Sequence, residues 1–126
     1  MILQEATPAD LSDPTMLLAA REANKSSLRF QLGAVIKCGK MKVSAYNINK
    51  THRTFGCGRY QTLHAESYCI LKAIKRGIDL SSSVLYVFRM HGLNSRPCKD
   101  CQTLIKRFRI RKVIYTNVKS GDSGEA

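Results

Sequence analysis

The order of the apolar runs along this chain limits its possible folds more than any other feature. Two β-rich runs, LGAVIK at 32–37 and KVSAYNI at 42–48, flank a glycine-containing turn at 38–41. This pattern predicts an antiparallel hairpin. Helical and strand-like runs then alternate from residue 65 onward. A hairpin followed by βαβ units predicts a mixed sheet with helices packed on its faces.

Helix and strand signals give the element order α-β-β-α-β-α-β. Pro14, behind a capping Ser12 or Asp13, begins the first predicted helix. A second helix spans about residues 65–76, with Gly77 as its stop. Pro97 opens the third helix. The remaining strands are SSVLYVFR and RKVIYT, and the residues after them read as a frayed tail.

Length and cysteine content set the broad class. The 126 residues predict one domain, residues 1–126, and the apolar fraction of 44% is enough for a core. Five cysteines are an odd number, which fits reduced thiols better than a disulfide framework. No run approaches the roughly 18 apolar residues of a membrane span, and the first residues lack a secretion signal. We therefore expect a cytoplasmic protein with no membrane partner.

Charge indicates the kind of partner. The chain has 21 lysines and arginines against 9 acids, a formal net charge of +12. Such an excess favours a partner that carries phosphates, although a solvated surface is the plainer alternative. Residues 96–119 alone hold eight basic residues and one acid, beside the third predicted helix. The sequence therefore favours a phosphate-bearing substrate.

The motif PCKDC carries the first chemical signal. It places Cys98 and Cys101 three residues apart, on one face of a helix's first turn. Such a pair is a metal or redox candidate. A redox pair would leave His64 and Glu66, at another helix entry, without a role. His64 with the two cysteines gives three ligands and leaves a fourth tetrahedral position for water, as in catalytic zinc sites.

Glu66 lies two residues after His64. In mid-helix, residues two apart point roughly 200° away from each other, so both can face one ion only where a helix begins. A carboxylate beside an activated water can take its proton and pass it to a leaving nitrogen. The sequence therefore predicts that Glu66 is the catalytic acid–base.

HAE at 64–66 and PCKDC at 97–101 match the H-x-E…P-C-x-x-C signature. The chain thereby resembles the zinc-dependent cytidine and deoxycytidylate deaminase superfamily. The runs LGAVIK, SAYN, LYV and RKVIYT also fall in the family's order. The resemblance is to the deoxycytidylate, tRNA-adenosine and polynucleotide-cytidine branches, whose zinc cysteines lie in PCxxC on a helix.

The resemblance implies a fold, a three-layer α/β/α sandwich of the cytidine-deaminase type. Its mixed sheet would begin with the antiparallel hairpin. Only ten residues follow the last predicted strand, so we expect the fifth strand of the family's sheet to be short or missing.

The resemblance also implies roles for particular residues. His64, Cys98 and Cys101 would hold Zn²⁺, and Glu66 would shuttle protons. Zinc-bound hydroxide would attack C4 of cytosine, or C6 of adenine in the tRNA branch, with release of ammonia. Two further roles concern the nucleoside: Asn47 would contact the sugar, and the backbone at Ala65 would read the edge of the base.

Four more substrate contacts are predicted from residue type and position. Arg59 and Tyr60, in the long polar loop 49–63, could offer a phosphate contact and a stacking surface. Arg96 is one of the basic residues beside the cysteine pair. Tyr115 ends the last strand, where ligands bind in open α/β sheets. The alternatives are solvated loop residues and, for Tyr115, a place in the core.

These observations predict an enzyme that converts cytosine to uracil in a phosphate-bearing substrate. A free nucleotide such as deoxycytidylate and single-stranded DNA or RNA both fit. One alternative is a tRNA adenosine-to-inosine deaminase. Another is a non-catalytic nucleic-acid-binding module with a structural zinc, which would not need Glu66. The sequence allows an oligomer without predicting one.

Overall fold

The computed structural model describes residues 1–48, 64–92 and 94–117. It contains one five-stranded sheet in the order β1-β5-β4-β2-β3. The strands are β1 Ile2–Glu5, β2 Leu32–Cys38, β3 Met41–Tyr46, β4 Val84–Arg89 and β5 Lys112–Tyr115. The helices are α1 Pro8–Leu11, α2 Pro14–Lys25, α3 Ala65–Lys75 and α4 Lys99–Arg107. Short 3₁₀ turns lie at Leu80–Ser82 and Met90–Gly92.

The predicted hairpin is present. β2 and β3 pair antiparallel, with Cys38 opposite Met41 at the turn. Gly39 lies in the turn at a φ of 60°, a conformation that glycine adopts without steric cost. β2 also pairs antiparallel with β4, and β4 pairs parallel with β5. The mixed sheet predicted from the sequence is therefore confirmed.

The fifth strand is present and short, as the sequence analysis allowed, but its origin was not expected. The N-terminal residues supply the fifth strand, since β1 pairs parallel with β5 from Ile2 opposite Lys112 to Glu5 opposite Tyr115. The Ile2 N–H donates to the Arg111 carbonyl at 2.9 Å, which fixes the start of this edge strand. A four-residue strand paired with the other end of the chain has almost no local signature. The sequence analysis therefore placed no strand before the first helix.

The side chains of the strands alternate between two faces. On one face Val35, Tyr86 and Ile114 pack against Met16 and Ala19 of α2. The backbone of α2 lies so close to the sheet that a Cβ at Gly33 would collide with it. On the other face the strands pack against α3 and α4, and this cluster forms the larger core. The three-layer α/β/α sandwich is confirmed.

The starts of α2 and α3 agree with the sequence analysis, whereas α4 begins at Lys99, two residues after the predicted start at Pro97. In α2, Pro14 takes the first position and the Asp13 side chain accepts a hydrogen bond from the Thr15 N–H at 2.7 Å. His64 is the N-cap of α3 and Cys98 is the N-cap of α4, and neither side chain makes a capping hydrogen bond. These two side chains are thus positioned by the helix starts without serving as caps.

Within the described parts of the chain, no helix is both long and apolar enough to cross a membrane.

Candidate metal centre and active site

The N-termini of α3 and α4 bring three ligand side chains together. The Nδ1 atom of His64 lies 3.4 Å from the Cys101 Sγ and 3.7 Å from the Cys98 Sγ. The three ligand atoms all lie within 4.8 Å of one another. Tetrahedral zinc, with bonds of about 2.0 Å to nitrogen and about 2.3 Å to sulfur, needs separations of about 3.5–3.8 Å. The donor set and its spacing therefore fit Zn²⁺.

The electrostatics of this group also suit a metal. Both helix N-termini face it, and their partial positive charge favours thiolates. The pKa of His64 is raised, mainly by its contact with the Cys98 sulfur, while its partial burial acts in the opposite direction. A metal ligand must be neutral imidazole, so metal binding at this group displaces a proton and is favoured by rising pH.

Glu66 lies in the first turn of α3, beside the ligand group. It is only 2% exposed. Its Oε1 atom is buried and makes no hydrogen bond to any described residue. Burial raises the pKa of this carboxyl group, because a low dielectric disfavours the charged form. A buried carboxylate oxygen without a partner is costly to a fold, and here it is available to accept a proton.

A cavity of about 460 Å³ opens onto the ligand group and Glu66. It is large enough for a nucleotide-sized ligand. The residues that line it come from the loop before β2, the end of β3, the starts of α3 and α4 and the segment after β4: Leu28, Arg29, Phe30, Leu32, Asn47, His64, Glu66, Arg89, Asn94, Arg96 and Cys98.

Three of the lining residues are arginines, and they share the cavity with one exposed aromatic ring. The guanidinium of Arg89 lies 4.7 Å from the centroid of the Phe30 ring, and that of Arg29 lies 5.5 Å from it. Arg96 is exposed. The Arg89 Nε atom is buried without a partner among the described residues. The cavity therefore offers positive charge and an aromatic surface near a buried carboxylate.

The structure brings some of the predicted contacts to this cavity. Arg96 and Asn47 line it. The Asn47 amide donates to the Phe30 carbonyl and accepts from the Leu32 N–H at 2.9 Å, so it holds the loop before β2 in place. Ala65 is the first residue of α3 and is fully buried.

One of the other predicted contacts lies elsewhere, and two cannot be placed. Tyr115 is buried in the core between the sheet and the two metal-site helices and does not line the cavity. Arg59 and Tyr60 lie outside the described residues.

The sequence analysis missed the arginine–phenylalanine part of the cavity. Arg29 and Phe30 precede β2, and Arg89 ends β4, so nothing in the local sequence marks them. Their position was one available signal. β2 begins and β4 ends at the same end of the sheet, and α3 and α4 also begin there. Arg89 contacts the Asn94 carbonyl at 3.3 Å, which ties it to the segment that leads to Cys98.

Ser95 is a second residue that the sequence analysis missed. It is 1% exposed, and its hydroxyl oxygen lies 2.9 Å from the Val87 carbonyl and accepts from the Thr116 N–H at 2.7 Å. These bonds attach the segment before Pro97 to the ends of β4 and β5. Ser95 thus anchors the segment that leads to Cys98.

A sheet with two helix starts that present His, Cys and Cys, next to a buried glutamate, defines a zinc-site α/β protein of the deaminase type. Residues 12–117 match the sequence profile of the family described as "Cytidine and deoxycytidylate deaminase zinc-binding region". The chain belongs to this family, and its cofactor is Zn²⁺. Among curated proteins, no sequence matches the chain significantly.

Solved structures share the fold. Cytidine deaminase from Burkholderia pseudomallei is 16% identical with a TM-score of 0.65, and the match covers 84% of each chain. The dCMP deaminase of the cyanophage S-TIM5, in complex with dCMP and dUMP, is 22% identical with a TM-score of 0.64. That match covers 94% of this chain and 88% of the phage enzyme.

Proposed function

We propose that this protein is a zinc-dependent hydrolytic deaminase that converts cytosine to uracil in a phosphate-bearing substrate. One observation carries the proposal: the unpartnered, buried Glu66 carboxylate oxygen next to the His–Cys–Cys group. A purely structural zinc site gives no reason to bury a carboxylate beside it without a partner.

His64, Cys98 and Cys101 would hold the zinc. When bound, Zn²⁺ supplies a Lewis acid that allows water to act as a nucleophile at neutral pH. The two thiolates need a reducing compartment, which supports a cytoplasmic location.

Glu66 would carry the protons of the reaction. Cytosine and water give uracil and ammonia, so one proton of the water must reach N3 of the ring and the other must reach the amino group as its bond to C4 breaks. Glu66 would take these protons in turn from the attacking water and deliver one to N3 and one to the leaving amino nitrogen. Its raised pKa, a result of burial, makes the carboxylate a better base than an exposed glutamate.

The substrate would bind with its base toward Glu66 and its phosphate toward the arginines. Arg89, Arg96 and Arg29 supply the positive charge, and guanidinium groups bind phosphate with paired hydrogen bonds. Asn47 retains one amide hydrogen and one acceptor position for the sugar. The first backbone groups of α3, at Ala65, would read the base edge.

We favour a free deoxycytidylate-type nucleotide over a polynucleotide as this substrate. The S-TIM5 enzyme, with its dCMP complex, shares the fold. The cavity already has enough arginines for one phosphate without the remaining charge of the chain. Arg59 and Tyr60 stay predicted as further contacts.

The test offers the purified, zinc-loaded protein dCMP, CMP, cytidine, single-stranded and duplex oligonucleotides, and tRNA. Mass spectrometry reads uracil or inosine. We expect dCMP to be deaminated far faster than cytidine, because cytidine lacks the phosphate. Arg89→Gln and Arg96→Gln should each raise KM for dCMP, and an exposed arginine on α2 provides the matched control, Arg21→Gln.

Different results would contradict different parts of the proposal. Inosine from tRNA would favour the adenosine branch, and uracil from an oligonucleotide alone would make the substrate a polynucleotide. No product from any substrate, with zinc bound, would favour the non-catalytic nucleic-acid-binding module.

A further inference from the structure

Most basic residues of the described chain lie at the end of the sheet opposite the metal centre. Three segments meet there, and we call them together the distal edge: residues 37–42, 75–84 and 106–112. Strand register joins them, since Lys37 is opposite Val84 and Val84 is opposite Lys112. The segments contain one acid, Asp79, and ten basic residues: Lys37, Lys40, Lys42, Lys75, Arg76, Lys106, Arg107, Arg109, Arg111 and Lys112.

None of this charge is neutralised within the described structure. Eight of the ten basic side chains are exposed, and Lys37 and Lys112 are half-buried. No ion pair between described residues involves any of the ten. Lys37 and Lys42 even lie directly opposite each other in the hairpin. Like charges in such a pair destabilise a sheet, so the fold itself does not favour this arrangement.

Helix electrostatics explain only part of the cluster. Lys75, Arg76, Lys106 and Arg107 lie at the C-terminal ends of α3 and α4, where the helix dipole favours cations. The three lysines of the hairpin lie on no helix. Arg109, Arg111 and Lys112 follow α4 and lead into β5. Six of the ten therefore need another explanation.

The distal edge is too far from the cavity to hold the substrate there. β2 runs from the cavity at Leu32 to the distal edge at Cys38, a length of about 20 Å at about 3.3 Å per residue. The screening length at physiological salt is about 8 Å. Charge at the distal edge is therefore largely screened from a phosphate in the cavity. The sequence analysis took the basic residues after Arg96 as support for substrate binding, but most of them lie at the distal edge.

We infer that the distal edge binds the sugar–phosphate backbone of a nucleic acid, separately from the catalytic cavity. The basic residues extend over β5, β4, β2 and β3, about 14 Å at about 4.8 Å between strands. Measured along the axis of a duplex, the phosphates of one strand recur about every 3.4 Å, so about four fit this length. A line of charges suits a polymer of phosphates better than a single phosphate. Six of the ten residues are lysines, which protein–protein interfaces disfavour.

The test uses the zinc-loaded full chain and a fluorescent oligothymidylate, which contains no cytosine and therefore isolates the distal edge from the reaction. Anisotropy titrations at several salt concentrations give the affinity and its salt slope. We expect log K to fall against log salt with a slope of about −3, as for about four contacts to a single strand. Duplex DNA and single-stranded RNA arms show which nucleic acid binds best.

Two double variants, each removing two exposed positive charges from helices, locate the binding surface. Lys75→Gln with Lys106→Gln changes the distal edge, and Arg21→Gln with Lys25→Gln changes α2 as the control. Lys25 forms an ion pair with Glu22, and glutamine at position 25 keeps an amide donor for that carboxylate. Glutamine retains helix propensity. At 0.1 M salt the distal double variant should bind about 25-fold more weakly, with the slope reduced by about 1.4, and the control less than about 2-fold more weakly.

Several results would overturn the inference. These are equal loss in both double variants, absence of salt-dependent binding, displacement of oligothymidylate by dCMP, or equally tight binding of polyglutamate or anionic lipid vesicles. Deamination of dCMP is measured on the same preparations and should be unchanged in both variants. If the parent protein does not deaminate dCMP but the distal double variant still loses binding, the proposed function is wrong and the inference about the distal edge is retained.

Discussion

The two ends of the sheet differ in how they use charge. At the catalytic end, a few charged groups are buried or partly buried, and the Oε1 of Glu66 and the Nε of Arg89 have no described partner there. At the distal edge, ten basic residues are accessible to solvent and spread over several elements. Both patterns follow from the parallel βαβ arrangement, which collects helix N-termini at one end and helix C-termini at the other.

The two ends are suited to two kinds of recognition. The catalytic end is a buried site, and the distal edge is an exposed surface. A buried charged group interacts strongly with its neighbours because the dielectric around it is low, and its position is fixed by packing. An exposed charge is worth little alone, and many are needed to bind a polymer. Changes at the catalytic end should therefore be large and specific, whereas single changes at the distal edge should be small.

The largest effect is expected from loss of a metal ligand. Cys101→Ser keeps the size of the buried side chain but removes a thiolate, so zinc content should fall well below one per chain. Deamination should fall by at least about 10³-fold, because the metal supplies several kcal/mol of transition-state stabilisation. Zinc analysis and dCMP turnover measure both. Full zinc content in this variant would contradict the ligand assignment, and Cys38→Ser, at the other end of the sheet, is the matched control.

The next largest effect is expected at Glu66. Glu66→Gln retains the shape of the side chain but cannot accept a proton, so kcat should fall by about 10²–10⁴-fold. Zinc content should stay at the parent value, since Glu66 is not a ligand in this proposal. A variant that deaminates as fast as the parent would rule out the mechanism. Binding of oligothymidylate should be unchanged, which would separate the two ends experimentally.

A pair of serine-to-alanine changes tests the difference in burial between the ends. Ser95→Ala removes a buried hydroxyl from the bonds that attach the Cys98 segment to β4 and β5. Leaving these groups unpaired should cost about 1–3 kcal/mol of unfolding free energy. Ser82→Ala removes an exposed bond to Asp79 near the distal edge and should cost less than about 0.5 kcal/mol. Urea denaturation measures the unfolding free energy of both variants. Equal losses would contradict the difference in burial between the two ends.

The smallest effect concerns thiol reactivity. Cys69 is fully buried and its Sγ donates to the Val43 carbonyl at 3.1 Å, and burial raises its pKa to about 12. Cys98 is exposed at a helix start. After zinc chelation, with the fold checked by circular dichroism, iodoacetamide at pH 8 should label Cys98 and spare Cys69. Peptide mapping gives the sites. Zinc should protect Cys98, and equal labelling of the two would contradict this structure.

The metal centre was predictable because its signals are local. Each ligand lies at a helix start that can be recognised from the sequence, and residue chemistry then suggested that His64, Cys98 and Cys101 belong together. The hairpin and the three main helices were predictable for a similar reason, since turn glycines, N-caps and periodicity act over a few residues. The order of the elements and the resemblance to a family then indicated the sheet.

The arginine–phenylalanine cavity and the fifth strand could not be predicted in this way. Arg29, Phe30 and Arg89 come together only because β2 and β4 pair in a register that places Leu32 opposite Arg89. β1 pairs with a strand more than 100 residues away in the sequence. In both cases long-range pairing decides the outcome, and no short stretch of sequence contains it.

The net charge shows most clearly what the sequence determines and what the tertiary structure decides. The sequence determined that the chain is strongly basic and that a zinc-type ligand set with a nearby glutamate lies at two helix starts. Only the tertiary structure decided where the charge lies, because residues 37–42, 75–84 and 106–112 become one edge through strand pairing. Most of the described charge that first suggested a phosphate-bearing partner is about 20 Å from the cavity, a distance set by the length of the strands.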